Sequence, residues 1–141
     1  MTLFKIPFDQ IEEGTYIEPL TKEAITKEQL KEYGPAAGDP NPIHLDDEFA
    51  KMAGYPGVFA HGMLSMSFLG QFLVDRFGLE NIKRFKVRFS KITWPGEIIT
   101  CTGKVMIKKE EGKEKLLDLQ LTTKNEKGEK KIIGDATVRV D

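Results

Sequence analysis

The sequence predicts an α+β fold in which an antiparallel sheet of about five strands wraps around one long helix. Residues 62–77 are apolar around nearly the whole circumference of a helix, which is typical of a buried helix. From residue 85 onward, apolar and polar residues alternate in successive stretches, as in strands with one buried face. A length of 141 residues favours a single domain over residues 1–141.

The first quarter of the chain predicts one extended segment followed by a helix. Residues 15–25 mix isoleucine and leucine with threonine, which favours a first strand. Thr26, with Gln29 three positions later, has the pattern of a capping box at a helix N-terminus. The pair Gly34–Pro35 is expected to end or kink that helix.

Two further helices are predicted before the sheet. Asp46 or Asp47 can cap a short helix. The central helix is expected to begin at Gly62 and to end before Gly78, a glycine suited to the C-terminal position. Arg76 lies in its last turn, where a cation complements the helix dipole.

The second half is expected to form an antiparallel meander of strands joined by short turns. The turns are predicted around residues 94–97, 110–115 and 125–128. Edge strands of such a sheet stay exposed, so pairing with a second copy of the chain would cover one of them. The alternating apolar positions are Phe85, Val87, Phe89; Ile99, Cys101, Gly103, Val105, Ile107; Leu117, Leu119, Leu121; and Ile132, Ala136, Val138, Val140.

Composition excludes several classes of function. The net charge of −1 gives no general attraction to nucleic acid or to an anionic membrane. The longest apolar run, residues 63–74, is shorter than the ~20 residues of a membrane span. Residues 1–10 do not have the pattern of a secretory signal. A single cysteine, Cys101, fits a reducing compartment, and a cytoplasmic location is expected.

The segment Gly38–His44 is the main candidate for a functional site. It contains Asp39, Asn41 and His44, and prolines follow both Asp39 and Asn41. Each proline fixes its own φ and favours an extended conformation for the preceding residue, so the loop is stiff. The chain has only 2 histidines, and the second, His61, follows shortly afterwards. An acid and a base are therefore expected to lie together.

An aspartate beside a histidine can hold one water and activate it as a nucleophile. Gly62, at the start of the apolar helix, offers a backbone N–H that has no acceptor within the helix. A thioester carbonyl at that N–H would be polarised, and an enolate oxygen would be stabilised. These groups together suit hydration of an α,β-unsaturated thioester.

The same residues also have purely structural interpretations. An Asp-Pro-Asn-Pro segment can be only a turn, and a lone histidine is often a packed side chain. Two other chemistries are weakly supported, because ligand spacing and a nucleophile elbow are both absent. They are a metal site on Asp39, His44 and Asp46, and a hydrolase triad of Ser65 or Ser67 with His61 and an aspartate. Four basic residues are interpreted as a solvated strand face or as a binding surface for a phosphorylated cofactor tail. They are Lys83, Arg84, Lys86 and Arg88.

Two sequence blocks, Ala37–His44 and Ala60–Leu64, resemble the MaoC-like or (R)-specific enoyl-CoA hydratase family. The later segments Val87–Phe89 and Trp94–Gly96 are also similar to that family. The resemblance implies a hotdog fold and a homodimer or related assembly. It also implies an acyl-CoA or acyl carrier protein substrate in a tunnel near the subunit interface. No cofactor and no metal are expected.

The resemblance also assigns roles to individual residues. Asp39 and His44 are the expected catalytic pair, and Asn41 belongs to the hydrogen-bond network of the site. Gly62 supplies the oxyanion N–H, and His61 is a candidate for supporting the pair from behind. The implied product is a (3R)-hydroxyacyl thioester, formed by a reversible hydro-lyase.

The chain departs from the family pattern in two places: the pair Gly34–Pro35 interrupts the preceding helix, and Ala37 replaces a frequent serine. Two alternatives remain open. A hotdog thioesterase usually takes its carboxylate from the central helix, where this chain offers only Asp75, far from Gly62. The second alternative is a non-catalytic subunit that functions together with a sister subunit.

Overall fold

The computed structural model describes residues 4–140; residues 1–3 and 141, at the ends of the predicted domain, lie outside the described residues. No helix in the described part is long and apolar enough to cross a membrane. The helices are α1 (Lys27–Ala37), α2 (Asp47–Met52) and α3 (Gly62–Phe77). The strands are β1 (Tyr16–Thr21), β2 (Ile82–Phe89), β3 (Thr100–Glu111), β4 (Glu114–Lys124) and β5 (Lys130–Arg139).

The five strands form one antiparallel sheet in the order β1-β3-β4-β5-β2. The α+β prediction of about five strands with one long helix is confirmed. The prediction of one uninterrupted meander is wrong for β2, which pairs with β5 at the far edge. Tight turns at Gly112 and Gly128, both at positive φ, join β3, β4 and β5. Residues 90–99 are long enough to carry the chain from β2 across to β3 instead.

A β-bulge interrupts the predicted alternation of β3. Val105 pairs with Leu119 but Ile107 pairs with Asp118, so one extra residue, Met106, is inserted. The bulge reverses the facing of the side chains beyond it. Ile107, which was predicted to face the core, is therefore 48% exposed.

The bounds predicted for α3 are confirmed, but its burial on all sides is not. The sheet covers one broad face of the helix, and Met63 and Val74 on the other side are 59% and 36% exposed. A sheet can bury only the face of a helix that it contacts. The buried residues of α3 are Leu64, Ser65, Phe68, Leu69, Phe72, Leu73, Arg76 and Phe77.

Arg76 lies in the last turn of α3 as predicted, but its side chain points into the protein. Its guanidinium donates to the carbonyls of Glu18 and Pro19, at 2.8 and 2.9 Å. The same group lies over the ring of Phe72. Arg76 therefore fastens the edge strand β1 to the central helix.

Helix α1 begins as predicted, with the Thr26 side chain accepting from the backbone N–H of Gln29 at 3.0 Å. It does not end at Gly34–Pro35 but continues to Ala37. Proline removes one hydrogen bond, to the carbonyl four residues earlier, and its φ suits a helix. The helix ends instead at Gly38, whose φ is +71°.

Candidate active site

The end of α1 determines where Asp39 lies. The N–H of Gly38 donates to the carbonyl of Pro35 at 3.2 Å, and the N–H of Asp39 donates to that of Gly34 at 2.8 Å. These two bonds and the positive φ of Gly38 form a Schellman motif, which closes the helix with a left-handed residue. Asp39 is thereby attached directly to a helix end, and its side chain is exposed.

His44 is held by a short 3₁₀ turn, Pro42–His44. The side chain of Asn41 caps this turn by accepting from the N–H of Ile43 at 3.1 Å. The Nδ1 atom of His44 lies 2.8 Å from the carbonyl oxygen of Phe59. A carbonyl only accepts, so Nδ1 carries a hydrogen, and in the neutral ring the lone pair is then on Nε2. His44 is therefore held as the tautomer that can act as a base through Nε2.

His61 packs behind these two groups. It is 1% exposed, its ring centroid lies 4.1 Å from that of His44, and its Nε2 lies 3.2 Å from the carbonyl oxygen of Asp39. Burial, and then the nearby His44, lower the pKa of His61, while the bond to Asp39 opposes this shift. His61 is thus favoured as a neutral ring that supports both Asp39 and His44.

Gly34 allows this close packing. A Cβ at Gly34 would lie 3.1 Å from the carbonyl oxygen of Asp39 and 3.5 Å from Nε2 of His61. The sequence context of Gly34 suggests a helix breaker. The close approach of Asp39 and His61 explains this glycine better.

Asp39, His44 and His61 each offer one ligating atom, and these atoms lie within 4.8 Å of one another. The ring centroids of His44 and His61 lie 4.1 Å apart, with the two planes tilted by 31°. A water bridge suits the spacing of Asp39 and His44, because two hydrogen bonds of about 2.8 Å span up to about 5.6 Å.

Gly62 begins α3 beside a cavity of about 230 Å³. The first intrahelical bonds of α3 come from Leu64 and Ser65, so the amides of Gly62 and Met63 precede the hydrogen-bonded ladder. Phe89 packs close to the Cα of Gly62. The cavity is lined by Phe59, Ala60, Gly62, Ser65, Phe89, Ser90, Lys91, Ile92, Thr93 and Ile132.

The structure brings Asp39, Asn41, His44 and His61 together, whereas Gly62 lines the neighbouring cavity. Neither Asp39 nor His44 lines that cavity. Phe59 joins the two places, because its ring lies against that of His44 and also lines the cavity. No feature of the sequence identified Phe59, since its bond to His44 is made by a backbone carbonyl.

Several residues of the weaker alternatives have other partners. The Asp46 side chain caps α2 by accepting from the amides of Glu48 and Phe49. The hydroxyl of Ser67 donates to the carbonyl of Leu64 in its own helix. The basic residues of β2 are exposed, and two of them have acidic partners: Lys83 with Glu114, and Arg84 with Asp135.

Comparison with known proteins places this chain in a family. A family model described as a MaoC like domain matches residues 10–127. A probable enoyl-CoA hydratase 2 of Dictyostelium discoideum is 30% identical over 93 residues, covering 64% of this chain and 32% of the relative. A 3-hydroxyacyl-thioester dehydratase X of Mycobacterium tuberculosis is 37% identical over 67 residues, covering 48% and 23%. The chain thus spans a third or less of these two relatives.

Solved structures agree on the fold. An (R)-hydratase of A. caviae involved in PHA biosynthesis superposes with a TM-score of 0.79 at 21% identity, covering 94% of this chain and 98% of that one. A MaoC-like dehydratase gives a TM-score of 0.84 at 30% identity, covering 95% of this chain and 42% of that one. The resemblance noted in the sequence is confirmed. This chain belongs to the MaoC-like dehydratase family and has its hotdog fold.

Proposed function

We propose that this protein catalyses the reversible hydration of trans-2-enoyl thioesters to (3R)-hydroxyacyl thioesters. The observation that carries the proposal is the pairing of Asp39 with His44. Their ligating atoms lie within 4.8 Å, and the bond from His44 Nδ1 to Phe59 leaves Nε2 available as a base. The family membership supports hydratase or dehydratase chemistry, and the start of α3 at Gly62 supports a site for the thioester carbonyl.

In the proposed reaction, the Asp39 carboxylate accepts a hydrogen bond from a water and orients it. His44 Nε2 removes the other proton of that water as its oxygen adds to the β-carbon of the substrate. The electron pair of the double bond moves to the carbonyl oxygen, where the Gly62 N–H stabilises the enolate. The proton is then returned to the α-carbon, so the net change is addition of H and OH.

We also propose supporting roles for Asn41 and His61. Asn41 caps the turn that presents His44, and its N–H lies 3.4 Å from Oδ1 of Asp39. His61 holds the Asp39 carbonyl and stacks on His44. In this proposal both residues act on the pair through these contacts.

We also propose that the working form is a homodimer. Strand β2 is an edge of the sheet, and it and α3 carry exposed apolar residues, among them Met63, Val74 and Phe89. A second copy would cover this surface and close the cavity beside Gly62. A structural neighbour is titled as the ChsH1–ChsH2 complex of Mycobacterium tuberculosis, so a sister subunit is the alternative partner. Light scattering of the purified chain distinguishes monomer from dimer.

The test is an assay of the purified chain with enoyl-CoA and enoyl–acyl carrier protein substrates of several chain lengths. Loss of the conjugated enoyl absorbance, with a (3R) product, supports the proposal. The variant D39N should lose this activity while it keeps the circular dichroism spectrum of the wild type. Release of free thiol without hydration would indicate a thioesterase instead, and an inactive homodimer that gains activity with a sister subunit would indicate a heteromeric enzyme.

The location of the protein is tested separately. We propose that the chain acts in the cytoplasm, in keeping with its one buried cysteine, Cys101. Cell fractionation with an antibody to the chain is the measurement.

A further inference from the structure

A buried ion pair lies behind the cavity wall. Lys131, on β5, is 3% exposed, and its Nζ lies 3.0 Å from Oε1 of Glu97. The same Nζ donates to the carbonyl of Ile92 at 2.8 Å. An ammonium group is costly to bury unless it is paired and hydrogen-bonded, as it is here. The sequence pattern of β5 alone does not reveal this burial.

Lys131 holds the segment of residues 90–97, which we call the cavity loop. The carbonyl of Lys131 accepts hydrogen bonds from the N–H groups of Ser90 and Lys91, at 2.9 and 3.2 Å, and the Nζ of Lys131 donates to the carbonyl of Ile92. Glu97 extends the same cluster by accepting from the N–H of Trp94 at 2.6 Å. This loop has no helix or strand of its own, so these contacts fix its path. The loop residues that line the cavity beside Gly62 are Ser90, Lys91, Ile92 and Thr93.

Asn125 completes the cluster. It is 6% exposed, and its side-chain amide donates to both Glu97 and Glu129. The carboxylate of Glu97 is therefore satisfied by Lys131, Trp94 and Asn125 together. A buried polar cluster with its members satisfied rigidifies the elements that it joins.

The cavity loop in turn contacts the segment that carries the candidate active site. The carbonyl of Thr93 accepts from the N–H of Ala60 at 2.9 Å. Ala60 follows Phe59, whose carbonyl accepts from His44 Nδ1, and it stands two residues before Gly62. A displacement of the loop would therefore move both the support of His44 and the start of α3.

We propose that Lys131, together with Glu97, is a positioning residue of the candidate active site. It holds the cavity loop so that Thr93 fixes Ala60, and through Ala60 the Phe59 carbonyl and the Gly62 amide. The catalytic part of this inference rests on the proposed function. Correct placement of the Phe59 carbonyl and the Gly62 amide stabilises the transition state more than it strengthens substrate binding. Loss of the Lys131–Glu97 pair should therefore lower kcat more than it raises KM.

The test uses a variant that removes both charges. Lys131→Met alone would leave the Glu97 carboxylate buried without its cation, which strongly destabilises a protein. The double variant Lys131→Met/Glu97→Gln avoids this, and Lys130→Met, at the exposed neighbouring lysine of β5, is the matched control. The measurements are kcat and KM for enoyl-CoA, the hydrogen-exchange rate of the Ala60 amide, and the emission of Trp94, the 1 tryptophan of the chain.

The double variant should remain folded, with kcat lowered about tenfold or more and KM changed by less than about threefold. The Ala60 amide should exchange about tenfold faster, and Trp94 should become more accessible to a quencher. Lys130→Met should match the wild type in every measurement. Wild-type kcat together with wild-type exchange at Ala60 in the double variant would overturn the proposal.

The outcome stays informative if the proposed function fails. A wild-type chain without hydratase activity would refute that function, whereas the exchange rate of Ala60 and the quenching of Trp94 would still report on the loop. Unchanged exchange and quenching in the double variant would then refute the positioning role by itself.

Discussion

Replacing Gly34 with alanine separates the packing of the candidate site from the stability of the fold. A Cβ there would lie 3.1 Å from the carbonyl oxygen of Asp39 and 3.2 Å from Cδ2 of Leu45, so its neighbours must move by a few tenths of an ångström. The gain in helix propensity is about 0.5–1 kcal/mol, and overpacking of this kind costs about 1–3 kcal/mol. The expected net change is a loss of about 0–2.5 kcal/mol in the free energy of unfolding.

The matched control is Gly70→Ala in α3, where the nearest atom to the new Cβ is Cε2 of Phe85 at 3.9 Å. This variant gains the propensity without the strain, so the difference between the two variants in urea denaturation measures the strain at Gly34. Activity should fall more sharply than stability, because the strain displaces Asp39 and His61. We expect G34A to lose about tenfold or more in kcat/KM. If G34A were as stable as G70A and as active as the wild type, the packing account of Gly34 would be wrong.

Three further predictions concern buried groups. Arg76→Met leaves the carbonyls of Glu18 and Pro19 without their donor. Urea denaturation should show a loss of about 3 kcal/mol in the free energy of unfolding. A loss below about 1 kcal/mol would show that β1 does not depend on this contact. Burial lowers the pKa of His61 below its usual 6.5. As the pH falls, the unfolded chain therefore binds the proton before the folded chain does. Stability is then lost between about pH 6.5 and the pKa of His61 in the folded state. This loss, at most about 1.4 kcal/mol per pH unit, should be smaller in His61→Gln, and an identical acid slope in both proteins would contradict it. Burial also raises the pKa of the Cys101 thiol to about 12, so a disulfide reagent at neutral pH should modify it only at the rate of opening; rapid modification of the folded protein would contradict this.

Local signals in the sequence predicted the elements well where the physics is local. The bounds of α3 follow from glycines at its two ends and an apolar run between them. Thr26 was identified as a cap because a hydroxyl reaches an amide only three residues away. The stiff loop of Asp39 and His44 was likewise readable from its prolines.

Signals that depend on distant parts of the chain were not readable. The pairing of β2 with β5 leaves no trace in the alternation of either strand, so a meander was the simplest expectation. The bulge at Met106 shifts Ile107 outward without a glycine to mark it. The exposed side of α3 looks like core in the sequence, because the same apolar residues suit both a core and an interaction surface.

The candidate site shows the same limit. Asp39, Asn41 and His44 were identified because their side chains and spacing carry chemistry. Phe59 acts through its carbonyl, and Gly34 acts through the side chain that it lacks, so neither has a chemical signature in the sequence. Lys131 is hidden differently, since a lysine in a strand reads as a surface residue until its burial is known.

The most direct test of the central claim is a double-mutant cycle on Asp39 and His44, read as kcat/KM for enoyl-CoA hydration. If the two side chains act on one water, D39N and H44A should each lower kcat/KM by about a thousandfold. The double variant should then be no less active than the worse single variant, because residues that act as a unit are not additive. Losses that multiply in the double variant, or single variants with wild-type activity, would contradict the account.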